Sequence, residues 1–292
     1  MKWFSPANFS GIYGDFMRKI KKEIKNQKMN QLLCVFLILT SVSITSCGVN
    51  PEKANKDSQN ANLELADIVN GKTINNKQDI AKSIVAIVAQ NDEGESLCTG
   101  TLVSENTVLT AAHCVEHDPQ HLKIIFGLNV KKAKEKNQRN ADKYIQHPNW
   151  SKHMPAGEGD LALIHFQGIT PKEYIPVILA PSNFKLKKGQ VIIMAGYGVT
   201  DGEAQSGAGQ LRQTNSNVID QQTQTEFVIN GDKSSVCFGD SGGPAFIKTG
   251  NKMIQWGVAS SVMNRECNSA SIHTALMKYN SWIQTTIKKM QK

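Results

Sequence analysis

The sequence has no C-x-x-C pair, no internal repeat visible to inspection, and no apolar run long enough to span a bilayer comfortably. Without close cysteine pairs, zinc is the weaker use for the cysteines. Nor does the composition match a disordered chain, since aromatic residues are 7% and charged residues 20% of 292. A chain of this length builds one large or two small domains with a real core. The formal charge is +8. It is unevenly placed: residues 1–46 carry +5, residues 47–67 carry −2, and the remainder carries +5. That surplus is weak ground for an anionic partner, and nothing in it asks for nucleic acid.

What is present begins with a basic stretch, Arg18 to Lys28, followed by the apolar run Leu32 to Leu39. A charged segment leading into a short apolar one reads as an export signal over residues 1–46, against the rival reading of an uncleaved membrane anchor. Ile44-Thr45-Ser46-Cys47-Gly48 resembles a bacterial lipobox, which makes Cys47 a candidate for lipidation. The expected location is then outside the cytoplasm of a bacterial cell, as a periplasmic or outer-membrane lipoprotein or as a secreted protein. Residues 1–16 fit no part of a signal, so translation is expected to start at Met17 or Met29. Residues 47–67 are polar and without periodicity, and read as a flexible tether or pro-segment.

From Ile68 onward, short runs rich in β-branched residues are separated by polar turns. Ser83 to Ala89, Cys98 to Val103, Val108 to Thr110, Leu122 to Phe126, Val191 to Ala195, Thr225 to Ile229, Ala245 to Ile247 and Ile254 to Ala259 all read as strands. That pattern predicts an all-β sandwich or barrel. Lys131 to Arg139 reads as a solvated lysine-rich loop, with an exosite for an anionic partner as the alternative. Residues 167–182, with three prolines, read as a linker between two halves. Leu276 to Lys289 has apolar residues at helical spacing and a basic end, so it predicts a C-terminal helix. Cys98, Cys114, Cys237 and Cys267 remain for the folded body, an even number that reads as two disulfides in an exported chain.

Ser241 lies between Asp240 and the pair Gly242-Gly243, in a segment that also holds Gly239 and Pro244. The plain reading is a turn in a β protein. The chemical reading is a nucleophile, which needs a base and an oxyanion site. His113 follows Leu109-Thr110-Ala111-Ala112, where small residues leave room beside the ring. Asp160 heads the apolar Leu161-Ala162-Leu163-Ile164, and a buried carboxylate there would fix the imidazole tautomer and stabilise the imidazolium.

Four segments in this order, Ile68-Val69-Asn70-Gly71, Thr110-Ala111-Ala112-His113-Cys114, Asp160-Leu161-Ala162-Leu163 and Gly239-Asp240-Ser241-Gly242-Gly243-Pro244, resemble the chymotrypsin-like serine endopeptidases. The resemblance covers residues 68–292. It implies two six-stranded antiparallel β-barrels with a C-terminal helix, the first over about 68–175 and the second over about 176–292. It also implies a triad of His113, Asp160 and Ser241, supported by Ser260, with Gly239 and Ser241 forming the oxyanion hole. The disulfides would be Cys98–Cys114 and Cys237–Cys267, and no metal or organic cofactor would be required. A cut before Ile68 would free an amine that pairs with Asp240, so the uncut chain would be a zymogen activated by another protease. The residue before that cut is Asp67 rather than Lys or Arg.

At the pocket positions, Ser235 supplies no counter-charge for a basic side chain. Ser261 stands where the family usually has tryptophan, and Val262 and Ser271 stand where it usually has glycine. The expectation is a monomeric enzyme that prefers small or medium apolar residues before the scissile bond of a protein or peptide substrate. The alternative is a catalytically inactive relative that uses the same barrels as a binding module.

Overall fold

The computed structural model describes residues 68, 69, 71–91, 94–116, 121–151 and 158–291. The expected export signal, Cys47 and the 47–67 segment lie outside the described residues. The first barrel is built from β2 (Ile84–Asn91), β3 (Gly94–Ser104), β4 (Thr107–Thr110), β5 (His121–Ile125), β6 (Gln138–Gln146) and β7 (Ala162–Phe166), all antiparallel. Its strands close in the order β2-β3-β4-β7-β6-β5.

The second barrel uses β9 (Val191–Gly196), β10 (Arg212–Gln221), β11 (Glu226–Ile229), β12 (Pro244–Thr249), β13 (Lys252–Val262) and β14 (Ser271–Ala275). Because β9 pairs with both β10 and β12, this ring also closes. Two short strands decorate it. β1 (Lys72–Thr73) lies against β10, and β8 (Ile178–Leu179) runs parallel to β13. The helix α1 (Asn280–Met290) follows.

Strand β2 shows why an unbroken apolar run fits a β fold. Successive side chains point to opposite faces. Val85, Ile87 and Ala89 join the interior of the first barrel, whereas Ile84 and Ala86 pack with Tyr197 and Phe246 from the second. Both faces of the strand are therefore dry. Each of the valine and isoleucine side chains contributes about 1.5–3 kcal/mol when fully buried. The second interior centres on Trp256, which meets Phe227 edge-on at 5.8 Å.

The two halves also exchange their ends. Ile68, Val69 and β1 associate with the second barrel, through the Val69–Ser235 bridge and the β1–β10 ladder. Helix α1 instead returns to the first barrel, where Ile283, Ile287 and Met290 join its core. The helix begins at Asn280 rather than Leu276, because Leu276 donates its amide to the Trp256 carbonyl at 2.8 Å and is held as an extension of the sheet. The 131–139 stretch forms two short 3-10 turns, Val130–Lys132 and Glu135–Asn137, before β6 starts at Gln138.

Candidate active site

His113 lies on the single 3-10 turn Ala112–Val115 that follows β4. The fully buried Ala111 and Ala112 let this turn press against the barrel. The turn is stapled to β3 by the Cys98–Cys114 disulfide, with Cα atoms 6.1 Å apart. A further bond, from Gln146 Nε2 to the Ala112 carbonyl at 2.9 Å, holds it from the β6 side.

Asp160 is completely buried at the entrance to β7 and has three donors. Its Oδ1 accepts the His113 backbone amide at 3.1 Å. Its Oδ2 accepts from His113 Nδ1 at 2.9 Å and from Ser260 Oγ at 2.5 Å. The ring is thereby held with Nδ1 toward the acid and Nε2 free for the cleft, where the side chain remains 28% exposed. Burial alone pushes the His113 pKa down, but the Asp160 charge and hydrogen bond outweigh it and the net shift is upward. For Asp160 burial pushes upward, and His113 and Ser260 together bring the carboxyl below its ordinary value. The pair is thus arranged to stabilise an imidazolium.

Ser241 sits in the turn before β12. The turn is tied to both barrels: Thr99 of β3 donates its amide to the Ser241 carbonyl at 2.8 Å, and Gly242 donates to Ala259 of β13 at 2.8 Å. Gly242 has φ +79°, and a Cβ there would collide with Thr110 Oγ1 and the Thr99 carbonyl, so glycine is required. Gly239 also has positive φ, +95°. Among the described residues, the amides of Gly239 and Ser241 donate to no protein group, as an oxyanion hole requires. Ser241 and His113 line one cleft of about 540 Å³. No hydrogen bond joins their side chains there, and such bonds are often long before substrate arrives.

The Trypsin family model matches residues 68–283. The chain belongs to the trypsin family. Among its relatives, "Chymotrypsin-like elastase family member 1" of Felis catus is 29% identical over 209 residues, covering 65% of this chain and 78% of that protein. The Homo sapiens protein of the same description is 28% identical over 213 residues, covering 65% and 81% respectively. The solved structure described as HL collagenase superimposes with a TM-score of 0.65 at 23% identity, covering 76% of this chain and 99% of that one, which supports the fold.

In this trypsin-family chain, Val262 lines the cleft, together with Val236, Phe238, Met263 and Arg265. Ser235 and Ser271, the other two expected pocket residues, are completely buried and are not among the residues that line this cleft. Ser235 Oγ donates to the Val236 carbonyl at 3.0 Å, and Ser271 Oγ lies 3.2 Å from His273 Nε2. The second disulfide, Cys237–Cys267, ties the Ser241 turn to the segment carrying Arg265. Cys98, His113 and Cys114 bring their ligand-type atoms within 4.8 Å of one another, but the two sulfurs are bonded to each other and are not thiolate donors.

Asp240 is completely buried, and its carboxylate accepts the amides of Gly198 at 2.7 Å and Cys237 at 2.8 Å. A Cβ on Gly198 would come within 2.5 Å of Asp240 Oδ2, so this close approach requires glycine. Burial nevertheless pushes the Asp240 pKa up to about 6. Ile68 is also completely buried, and Val69 bridges to Ser235, two residues before the Cys237 amide that Asp240 accepts. Thr99 gave no signal in the sequence, although its hydroxyl joins the Gly239 carbonyl to the Tyr197 amide. Only a register placing β3 beside the Ser241 turn could have identified it.

Proposed function

We propose that this chain is a serine endopeptidase, exported and made as a zymogen. The observation that carries the reading is the buried Asp160 carboxylate, which holds His113 Nδ1 in a cleft that also contains Ser241. Ser241 Oγ attacks the scissile carbonyl carbon as its proton passes to His113 Nε2. The negative charge on the former carbonyl oxygen is received by the amides of Gly239 and Ser241, each worth about 3–4 kcal/mol in sites of this type. His113 then gives the proton to the leaving amine, and an acyl-enzyme remains. Water, deprotonated by His113, hydrolyses the ester and restores Ser241.

Activation is a cut between Asp67 and Ile68. Burial of Asp240 outweighs the Arg212 charge and the two amide bonds that favour its ionised form, and the new Ile68 amine adds a further cation. The backbone supports this reading. Ile68 has φ +71°, a region costly for a β-branched residue. That torsion is defined by the peptide bond to Asp67, so the cut abolishes the constraint. A separate protease makes the cut. With lipid on Cys47, the same cut releases the enzyme from the membrane. The two disulfides fit an oxidising compartment.

The primary pocket takes small or medium apolar side chains. Val262 and Phe238 line its wall, and Ser235 offers no negative charge. The similarity to proteins named as elastases agrees with this preference. A peptide-library cleavage profile tests it. Cleavage after Ala, Val or Leu is expected, with Val262→Gly extending the profile to larger side chains, whereas a profile dominated by Lys or Arg would overturn the assignment.

A further inference from the structure

The 131–139 loop carries Lys131, Lys132, Lys134, Lys136 and Arg139 against a single acid, Glu135. All four lysine side chains are exposed, and among the described residues none of them is in an ion pair. A run of lysines on a mobile loop would spread its charge. Here the backbone is fixed instead.

Val130 donates to the Gly209 carbonyl at 2.8 Å, and Leu211 donates back to Leu128 at 2.7 Å. Asn129 uses both ends of its amide, Nδ2 to Gln210 Oε1 at 3.0 Å and Oδ1 from the Lys132 amide at 3.1 Å. Phe126 donates to Asn137 at 2.9 Å, closing the base of the loop. Arg139 is absorbed as a pin. Its guanidinium donates to the carbonyls of Lys136 and Ile169, at 2.8 and 2.6 Å, and lies over the Phe126 ring. Four lysine ammonium groups are therefore presented by a backbone locked from both ends.

We propose that this ridge is an exosite for an acidic stretch of a polypeptide substrate, an inference that rests on the proteolytic reading above. Residues 128–139 contain no aromatic side chain to stack on a base, and the exposed Ile169 beside Arg139 is a single apolar side chain, without the apolar face that enters a lipid surface. What remains is charge on a fixed frame. Clustered lysines attract a carboxylate-rich segment over about a Debye length and hold it through several individually weak, salt-sensitive contacts. Gain from such tethering appears in KM, because the ridge does not touch the reacting bond.

The test uses the enzyme cut before Ile68 and two peptides identical around the scissile bond, one ending in eight glutamates on a flexible linker and the other in a Gly/Ser tail. At low salt the acidic peptide should have a KM about tenfold lower at unchanged kcat. In the fourfold variant K131Q/K132Q/K134Q/K136Q, or in about 0.5 M salt, the two peptides should become equivalent, while the Gly/Ser peptide is cut as by the unaltered enzyme. Equal KM values with the unaltered enzyme at low salt, or a preference that survives in the variant, would overturn the exosite. Binding of the dye-labelled acidic peptide to S241A protein separates this from failure of the proteolytic reading. Peptide bound there without cleavage by the active form supports the ridge and sinks the protease. Anionic phosphatidylserine vesicles or a thymidine oligonucleotide binding the ridge in preference to the acidic peptide would also overturn the assigned occupant.

Discussion

The hydroxyl of Thr99 accepts the Tyr197 amide at 3.1 Å and donates to the Gly239 carbonyl at 2.8 Å. One atom of the first barrel thus fixes the residue whose amide is assigned to the oxyanion hole in the second. Replacing Thr99 by valine keeps the shape and leaves two backbone groups without that partner. Each unsatisfied buried group costs about 1–3 kcal/mol. Thr99→Val should lower stability accordingly and reduce kcat more than it raises KM, and Thr99→Ser should restore both. Steady-state kinetics beside urea unfolding of the three proteins reads the outcome. Unchanged kcat in Thr99→Val would detach this hydroxyl from the oxyanion hole.

The acid limb of the pH–rate profile should report His113, which must be neutral to take the Ser241 proton. Burial lowers its pKa, but Asp160 raises it further, to a net position above 6.5. Activity should therefore rise with pH through a midpoint above that value. In Asp160→Asn the charge is lost and burial remains, so the residual activity should show its midpoint at lower pH. An unchanged midpoint in this variant would mean that Asp160 does not set the base.

For the uncut chain, Asp240 gives a stability signature. Its folded pKa of about 6 lies above the ordinary 3.8, so the folded carboxyl keeps its proton where the unfolded one has lost it. Its contribution is therefore most favourable below 3.8 and is lost as pH rises from there through about 6. The difference is about 3 kcal/mol, and Asp240→Asn should remove it. Once the Ile68 amine is free, the loss should reverse, because the ionised carboxylate then gains a cation beyond the charge of Arg212. Urea unfolding at pH 4 and pH 7 of uncut and cut protein measures both slopes.

The legible parts of the fold were those whose burial is written as apolar runs. β2, β9 and β13 are of this kind, as are the small residues before His113 and the Asp-Ser-Gly-Gly turn. Strand β10 was not legible. Its sequence, Arg-Gln-Thr-Asn-Ser-Asn-Val-Ile-Asp-Gln, has scarcely any apolar alternation, yet it pairs with β1, β9 and β11 through its backbone. β6 escaped for the same reason, since none of its side chains is fully buried. β14 is buried on both faces but is only five residues long and carries the polar Ser271, His273 and Thr274. Within the site, Asp160, His113 and Ser241 stood out in the sequence because the proposed chemistry demands particular residue types. Arg265, Phe238 and Thr99 depend on which loops meet, and no local pattern encodes that.

The central claim is that a cut before Ile68 converts this chain into a protease acting through Ser241. The direct measurement is labelling by a fluorophosphonate probe, with the modified residue located by mass spectrometry, in matched samples of uncut and cut protein. The account predicts fast modification of Ser241 after the cut, slow or no modification before it, and none in Ser241→Ala or His113→Ala. Equal labelling of the two forms would contradict the zymogen, and no labelling of the correctly cut form would contradict the enzyme.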